Sequence, residues 1–129
     1  MVGYVLDASA LLALLQGEVG SQRVAVCIKE GALISAVNFA EVATKLCEAG
    51  MPESVMHEAL DMPGLMIVDF DSALAYRAAL LRLTTKHIRL SLGDRVCLAL
   101  GGHMHLPVVT TDRIWESLTV GVDVQVIRS

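Results

Sequence analysis

The stretch Val2-Gly-Tyr-Val-Leu-Asp7-Ala-Ser9-Ala-Leu-Leu-Ala-Leu-Leu-Gln16 decides the fold class. Val2 to Leu6 is a short apolar run rich in β-formers, Asp7 follows it directly, and Ala8 to Gln16 continues as an apolar helical stretch. A strand that runs through an acid into a helix is the opening unit of an α/β domain. Ala32 to Ser35 reads as a second strand, and Asn38-Phe-Ala-Glu41 has the form of a capping box opening a helix that runs towards Ala49, with Glu41 as its third residue. Ser91-Leu-Gly-Asp94 repeats that form ahead of an apolar helix through Val96, Cys97, Leu98 and Leu100. Val108 to Thr110 reads as a strand with Thr111 and Asp112 at its end.

Between these units lie Pro52 at the start of a short helix, Glu53 to Met62, then a third strand at Leu65 to Val68. A long helix follows, Asp71 to Lys86, with Leu74, Ala78 and Leu81 on its apolar face; Val124 to Ile127 reads as a final edge strand. The Gly101-Gly102 pair is expected to end the Asp94 helix. The resulting order is βαβαβαβαβ: an α/β fold with a central, mostly parallel sheet of about five strands flanked by helices. With 129 residues and 54% hydrophobic content, residues 1–129 suit one domain.

In such a domain the carboxyl end of each parallel strand and the amino end of the following helix share one edge of the sheet. Asp7, Glu41, Asp94 and Asp112 therefore have one topological address. Helix amino termini favour carboxylates by about 0.3 to 1 kcal/mol each. Two unit charges about 5 Å apart repel by roughly 3 kcal/mol at an effective dielectric near 20, so a cluster of four must raise some pKa values or recruit a cation. A divalent-cation site is the expectation.

Composition narrows the alternatives. The mean hydropathy is +0.59, yet charged residues interrupt the apolar segments, and the longest uncharged stretch, Val96 to Thr111, contains glycines, histidines and a proline. No membrane association is expected. Asp7 splits the amino-terminal apolar run and no basic region precedes it, so a cytoplasmic protein is expected. The net charge of -4 argues against a general polyanion-binding surface. Lys45, Arg82, Lys86, Arg89, Arg95 and Arg113 fall mostly near the acidic edge in sequence and allow a local basic rim, with Arg95 and Arg113 as candidate phosphate contacts. Cys27, Cys47 and Cys97 read as small core residues rather than a zinc set. Asp69 and Asp71 are assigned to structure, Asp71 as a helix cap. Ser91 and Asn38 read first as caps, His103 and His105 as exposed residues of a turn, and Trp115 as packing near the sheet edge.

The motifs Tyr4-Val-Leu-Asp-Ala-Ser-Ala10, Asn38-Phe-Ala-Glu-Val42, Leu90-Ser-Leu-Gly-Asp-Arg-Val-Cys-Leu-Ala-Leu100 and Val109-Thr-Thr-Asp-Arg113 followed by Trp115 occur in this order. On them the chain resembles, from end to end, the PIN domain, and within it the VapC-type toxins of toxin–antitoxin pairs. The resemblance implies a single PIN domain acting as a magnesium- or manganese-dependent endoribonuclease, the toxin of a type II toxin–antitoxin system. Asp7, Glu41, Asp94 and Asp112 occupy the family's acidic positions. It further implies a homodimer and a small cognate antitoxin of the VapB-like, DNA-binding kind, whose extended tail covers the active site.

Phosphodiester hydrolysis supports the same assignment, because it needs an acidified water and a cation that offsets charge on the phosphate. Carboxylates are hard ligands suited to Mg²⁺ or Mn²⁺. Asp7 and Asp94 are expected as principal ligands, Glu41 and Asp112 as holders of its water or of a second ion. Ser9 and Thr111 are expected to orient that water or a phosphate oxygen. Three other readings stay open. A haloacid-dehalogenase-type phosphatase also has an aspartate after its first strand, but wants a second acid where this chain has Ser9. A catalytically silent dimerisation or partner-binding module would carry similar apolar helices. A nuclease of RNA processing would use the same chemistry.

Overall fold

The computed structural model describes residues 3–127. Its strands, β1 (Tyr4–Leu6), β2 (Ala32–Ser35), β3 (Leu65–Val68), β4 (Val108–Thr110) and β5 (Val124–Val126), form one sheet in the order β3-β2-β1-β4-β5. Every pairing is parallel. The expected strands are all present; the part of the first that falls on Val2 lies outside the described residues.

Helices cover both faces: α1 (Ala8–Leu15), α2 (Ser21–Glu30), α3 (Ala36–Glu48), α4 (Glu53–Leu60), α5 (Ser72–Thr84) and α6 (Leu92–Met104), with a short 3₁₀ turn at Arg113–Ser117 before β5. Side chains alternate along the strands. Val5, Leu33 and Val108 face a layer built from Leu74 and Ala78 of α5, Val96 to Leu100 of α6, and Trp115. Leu6, Ile34 and Val109 face Ala10 and Leu11 of α1, Val24 and Cys27 of α2, and Val42 and Leu46 of α3. Because both faces are covered, the central strands read as continuous apolar runs, as buried parallel strands do.

Three details differ from the expected pattern. The first three crossovers each hold two helices; the pairs in the second and third are those read from the sequence, whereas α2, set off from α1 by Gln16-Gly-Glu-Val-Gly20, is an addition. The cap of α3 is Ser35, not Asn38: its Oγ accepts from the Asn38 backbone N–H at 3.0 Å. Glu41 is therefore the sixth helical residue, one turn further in than expected. Finally, α6 runs through Gly101 and Gly102 to Met104 and ends on His105 in the left-handed conformation (φ 55). Gly101 is there for close approach, since a Cβ would lie 2.3 Å from Val108 Cγ2 on β4.

The site owes its position to the strand order. The chain lays down β1, β2 and β3 towards one edge, then returns to place β4 on the other side of β1. Ligand crevices of open α/β sheets lie outside the carboxyl ends of the strands at such a reversal. Asp7 leaves β1 there and Asp112 follows β4 there.

Candidate active site

Asp7 is the N-cap of α1, with extended backbone geometry, and it is buried at 5% exposure. Its Oδ1 accepts from the Ala10 N–H at 2.8 Å and from Ser9 Oγ at 2.7 Å, and its Oδ2 accepts from Thr110 Oγ1 at 2.5 Å. Burial pushes its carboxyl up to about 6; the hydrogen bonds from Thr110, Ser9 and Ala10 offset part of that, and the charge of Asp94 adds to the rise. Every group that lowers it is a neutral hydrogen-bond donor. Asp7 is thus a desolvated carboxylate facing another acid, the condition under which a cation is favoured.

Asp94 is reached from the other layer. It is the third residue of α6 in a complete capping box: Ser91 Oγ accepts from the Asp94 N–H at 3.1 Å, and Asp94 Oδ2 accepts from the Ser91 N–H at 2.9 Å. The expectation at this helix start is met in both hydrogen bonds. Glu41 joins through Asn38, whose Nδ2 donates to Glu41 Oε1 at 2.9 Å and to the Gly93 carbonyl at 3.0 Å. Buried Cys97, one turn along α6, has its thiol pushed well up by desolvation and then by the charges of Asp7, Asp94 and Glu41. The charges of three acids from three elements, Asp7, Asp94 and Glu41, are therefore all felt at Cys97.

Asp112 is attached less directly. It caps the 3₁₀ turn, with its Oδ1 accepting from the Ile114 N–H at 3.0 Å. Its own N–H donates at 3.1 Å to the same Thr110 Oγ1 that holds Asp7. Of the two expected hydroxyls, that of Ser9 reaches Asp7. Ser9 Oγ donates to Asp7 and accepts from the Thr111 backbone N–H at 3.0 Å. Thr111 joins through its main chain, and the second hydroxyl that touches Asp7 belongs to Thr110, which is fully buried. Strand alternation carries the signal that separates them, because Thr110 is the last residue of β4 and Thr111 lies beyond it.

Among the described residues, no three His, Cys, Asp or Glu side chains already stand close enough to hold an ion. The mouth is an open arrangement of oxygen donors rather than a closed cage. Nearby candidates sort out differently. Arg95 reaches towards α5: its Nη1 donates at 3.0 Å to the Ala78 carbonyl, bracing α6 against α5, and its Nε is buried without a partner. Lys86 and Arg89 are exposed on the segment leading to Ser91, and Lys45 is exposed 3.8 Å from Glu48. Arg113 is exposed on the 3₁₀ turn. Trp115 is buried at 1% exposure and packs in the core. His103 and His105 are exposed, His105 in the turn that caps α6 and His103 still within the helix. Cys27 and Cys97 are core residues, whereas Cys47 is exposed. Asp71 caps α5, accepting from the Leu74 N–H at 2.9 Å.

The PIN domain family model matches residues 4–120. The chain belongs to the PIN domain family. The PIN fold is also that of several solved structures. VapBC2 from Rickettsia felis, bound to a DNA fragment from its promoter, aligns at TM-score 0.73 and 15% identity over 95% of this chain and 96% of that one. A toxin–antitoxin complex from Klebsiella pneumoniae aligns at TM-score 0.73 and 21% identity over 93% and 95% of the two chains. Mycobacterium tuberculosis VapC20, described as a sarcin-ricin loop cleaving toxin, aligns at TM-score 0.72 and 16% identity over 94% and 99%. No curated protein matches the sequence significantly. No helix among the described residues is long and apolar enough to cross a membrane.

Proposed function

We propose that this PIN domain is a divalent-cation-dependent endoribonuclease, the toxin of a type II toxin–antitoxin pair, acting in the cytoplasm. One observation carries the catalytic reading: Asp7 is buried where the strand order reverses, feels the charge of Asp94 and is tied through Thr110 to Asp112, while Asn38 ties Glu41 to the backbone next to Asp94. The donor chemistry fits Mg²⁺ or Mn²⁺, since the set is entirely hard oxygen and Asp7 is pushed up to about 6 with only neutral donors opposing the rise. Asp7 and Asp94 would hold the ion, with Glu41 and Asp112 completing its surroundings. When bound, such an ion acidifies water and offsets charge building on the phosphate. Ser9 and Thr110 keep both Asp7 oxygens aimed by donating to them, and the buried floor under Asp7 excludes bulk solvent. Lys86 and Arg89, exposed on the segment that leads to the Asp94 capping box, would serve as contacts to a phosphate backbone.

The partners follow from two observations. The PIN relatives of the same fold include toxin–antitoxin complexes, which supports a cognate VapB-like antitoxin. The outer face of α5 exposes Tyr76 (74%), Leu80 (64%) and Leu83 (65%), an apolar stripe at helical spacing that supports a homodimer. The same stripe is what a silent dimerisation module would show. Cleavage of structured RNA in Mg²⁺ or Mn²⁺, with EDTA and the Asp7→Asn and Asp94→Asn variants as controls, decides between the two. Loss of cleavage in both variants supports the nuclease; cleavage that persists in both sinks this site. Copurification of a small partner separates a toxin from an RNA-processing nuclease.

A further inference from the structure

Resting on the nuclease reading above, the geometry points to Asn38 and Gly93 as a matched pair of positioning residues for the Glu41 carboxylate: Asn38 supplies the hydrogen bond and Gly93 the space.

The hydrogen bond is fixed from below. Ser35 Oγ donates to Asn38 Oδ1 at 2.7 Å, which sets the amide orientation and turns both Nδ2 hydrogens outward. One goes to Glu41 Oε1 at 2.9 Å and the other to the Gly93 carbonyl at 3.0 Å. A single buried amide, 1% exposed, therefore links the side chain of Glu41 on α3 to the backbone immediately before Asp94 on α6. Without it, a glutamate on an exposed helical turn has three rotatable bonds and no reason to stay at the mouth.

The space is set by what Gly93 lacks. A Cβ there would lie 2.5 and 2.6 Å from the two Glu41 oxygens and 2.8 Å from its Cδ. Those atoms are the free end of a flexible side chain, so a methyl group would displace the carboxylate and leave the two helices in place. The three atoms nearest to such a Cβ all belong to the Glu41 carboxylate. Gly93 is the second residue of α6 and is not among the glycines at positive φ. Alanine is the better helix former at such a site.

The test uses the full chain carrying Gly93→Ala or Asn38→Ala, each also in a Glu41→Ala background. Mn²⁺ affinity by calorimetry, RNA cleavage and melting temperature are read together. Gly93→Ala should melt at or above the wild type yet bind Mn²⁺ about tenfold or more weakly, the size expected for disturbed support of a metal ligand. That loss should vanish when Glu41 is already alanine. Asn38→Ala should lose affinity and some stability. Wild-type Mn²⁺ affinity in Gly93→Ala, or a loss undiminished by Glu41→Ala, overturns the inference. A wild type that neither binds Mn²⁺ nor cleaves RNA overturns the nuclease reading instead. In that case a crystal structure of Gly93→Ala still decides, because a Glu41 carboxylate unmoved from Asn38 Nδ2 refutes the pair.

Discussion

Thr110 donates its hydroxyl proton to Asp7 Oδ2 at 2.5 Å and accepts the Asp112 backbone N–H at 3.1 Å. One buried oxygen at the end of β4 thereby couples the acid after β1 to the acid after β4, across the place where the strand order reverses. The first prediction follows from this. Thr110→Val keeps the shape but leaves the Asp112 N–H without its acceptor and Asp7 without its largest lowering influence. It should destabilise the fold by about 1 to 3 kcal/mol and depress cleavage, whereas Thr111→Val should leave stability near that of the wild type. Urea unfolding of the two variants checks it, and equal effects would contradict the assignment.

Asp7 predicts a pH dependence with an unusual sign. Burial raises its folded-state carboxyl from 3.8 to about 6, so between those values the folded chain holds a proton that the unfolded chain has released. Its contribution to stability therefore falls as pH rises through that window, by about 3 kcal/mol in all, and stays low above it. In EDTA, this contribution should make wild-type stability fall between pH 4 and about 6. Asp7→Asn should remove it, and saturating Mg²⁺ should restore stability at neutral pH. Denaturant melts across pH measure all three; a wild type and Asp7→Asn with parallel profiles would refute the shift.

Gly101 and Gly102, adjacent in α6, should respond in opposite directions. A Cβ on Gly101 would meet Val108 Cγ2 at 2.3 Å in the packed layer, while one on Gly102 would meet Val122 Cγ2 at an ordinary 3.5 Å. Gly101→Ala should cost about 1 to 3 kcal/mol through overpacking. Gly102→Ala should be neutral or stabilising by up to about 1 kcal/mol through helix propensity. Thermal unfolding distinguishes them, and equal melting temperatures would show that α6 does not approach β4 so closely.

Arg95 should behave as a brace. Its hydrogen bond to the Ala78 carbonyl joins α6 to α5. Arg95→Ala should lower stability by about 1.5 to 3 kcal/mol, the usual worth of a charged hydrogen bond, and leave the salt dependence of RNA binding unchanged. A shallower salt slope in that variant would return Arg95 to the phosphate-binding rim.

Legibility in the sequence tracked how local the physics is. The strands at Ala32–Ser35, Leu65–Val68 and Val108–Thr110 and the capping box at Ser91 and Asp94 depend on neighbours in the chain, and each appears as read. The cap of α3 was misplaced by one turn because Ser35 and Asn38 are both good caps, and only the close of β2 at Ser35 selects between them. The Gly101-Gly102 pair looked like a helix end because close packing against β4 is a distant contact. Arg95 looked like a rim residue because its partner, Ala78, lies on another helix.

By itself, the sequence determined a parallel α/β domain with Asp7, Asp94 and Asp112 at strand ends and a helix start, since periodicity and capping act within a few residues of each other, and its motifs carried the resemblance to the PIN family. Tertiary structure alone decided how those acids are held. Thr110 rather than Thr111 reaches Asp7, Asn38 rather than the helix start holds Glu41, and Asp112 is tied in through Thr110 and its own backbone N–H. Each of these depends on elements brought together across the sheet, and only the order β3-β2-β1-β4-β5 puts β1 beside β4 and α3 beside α6.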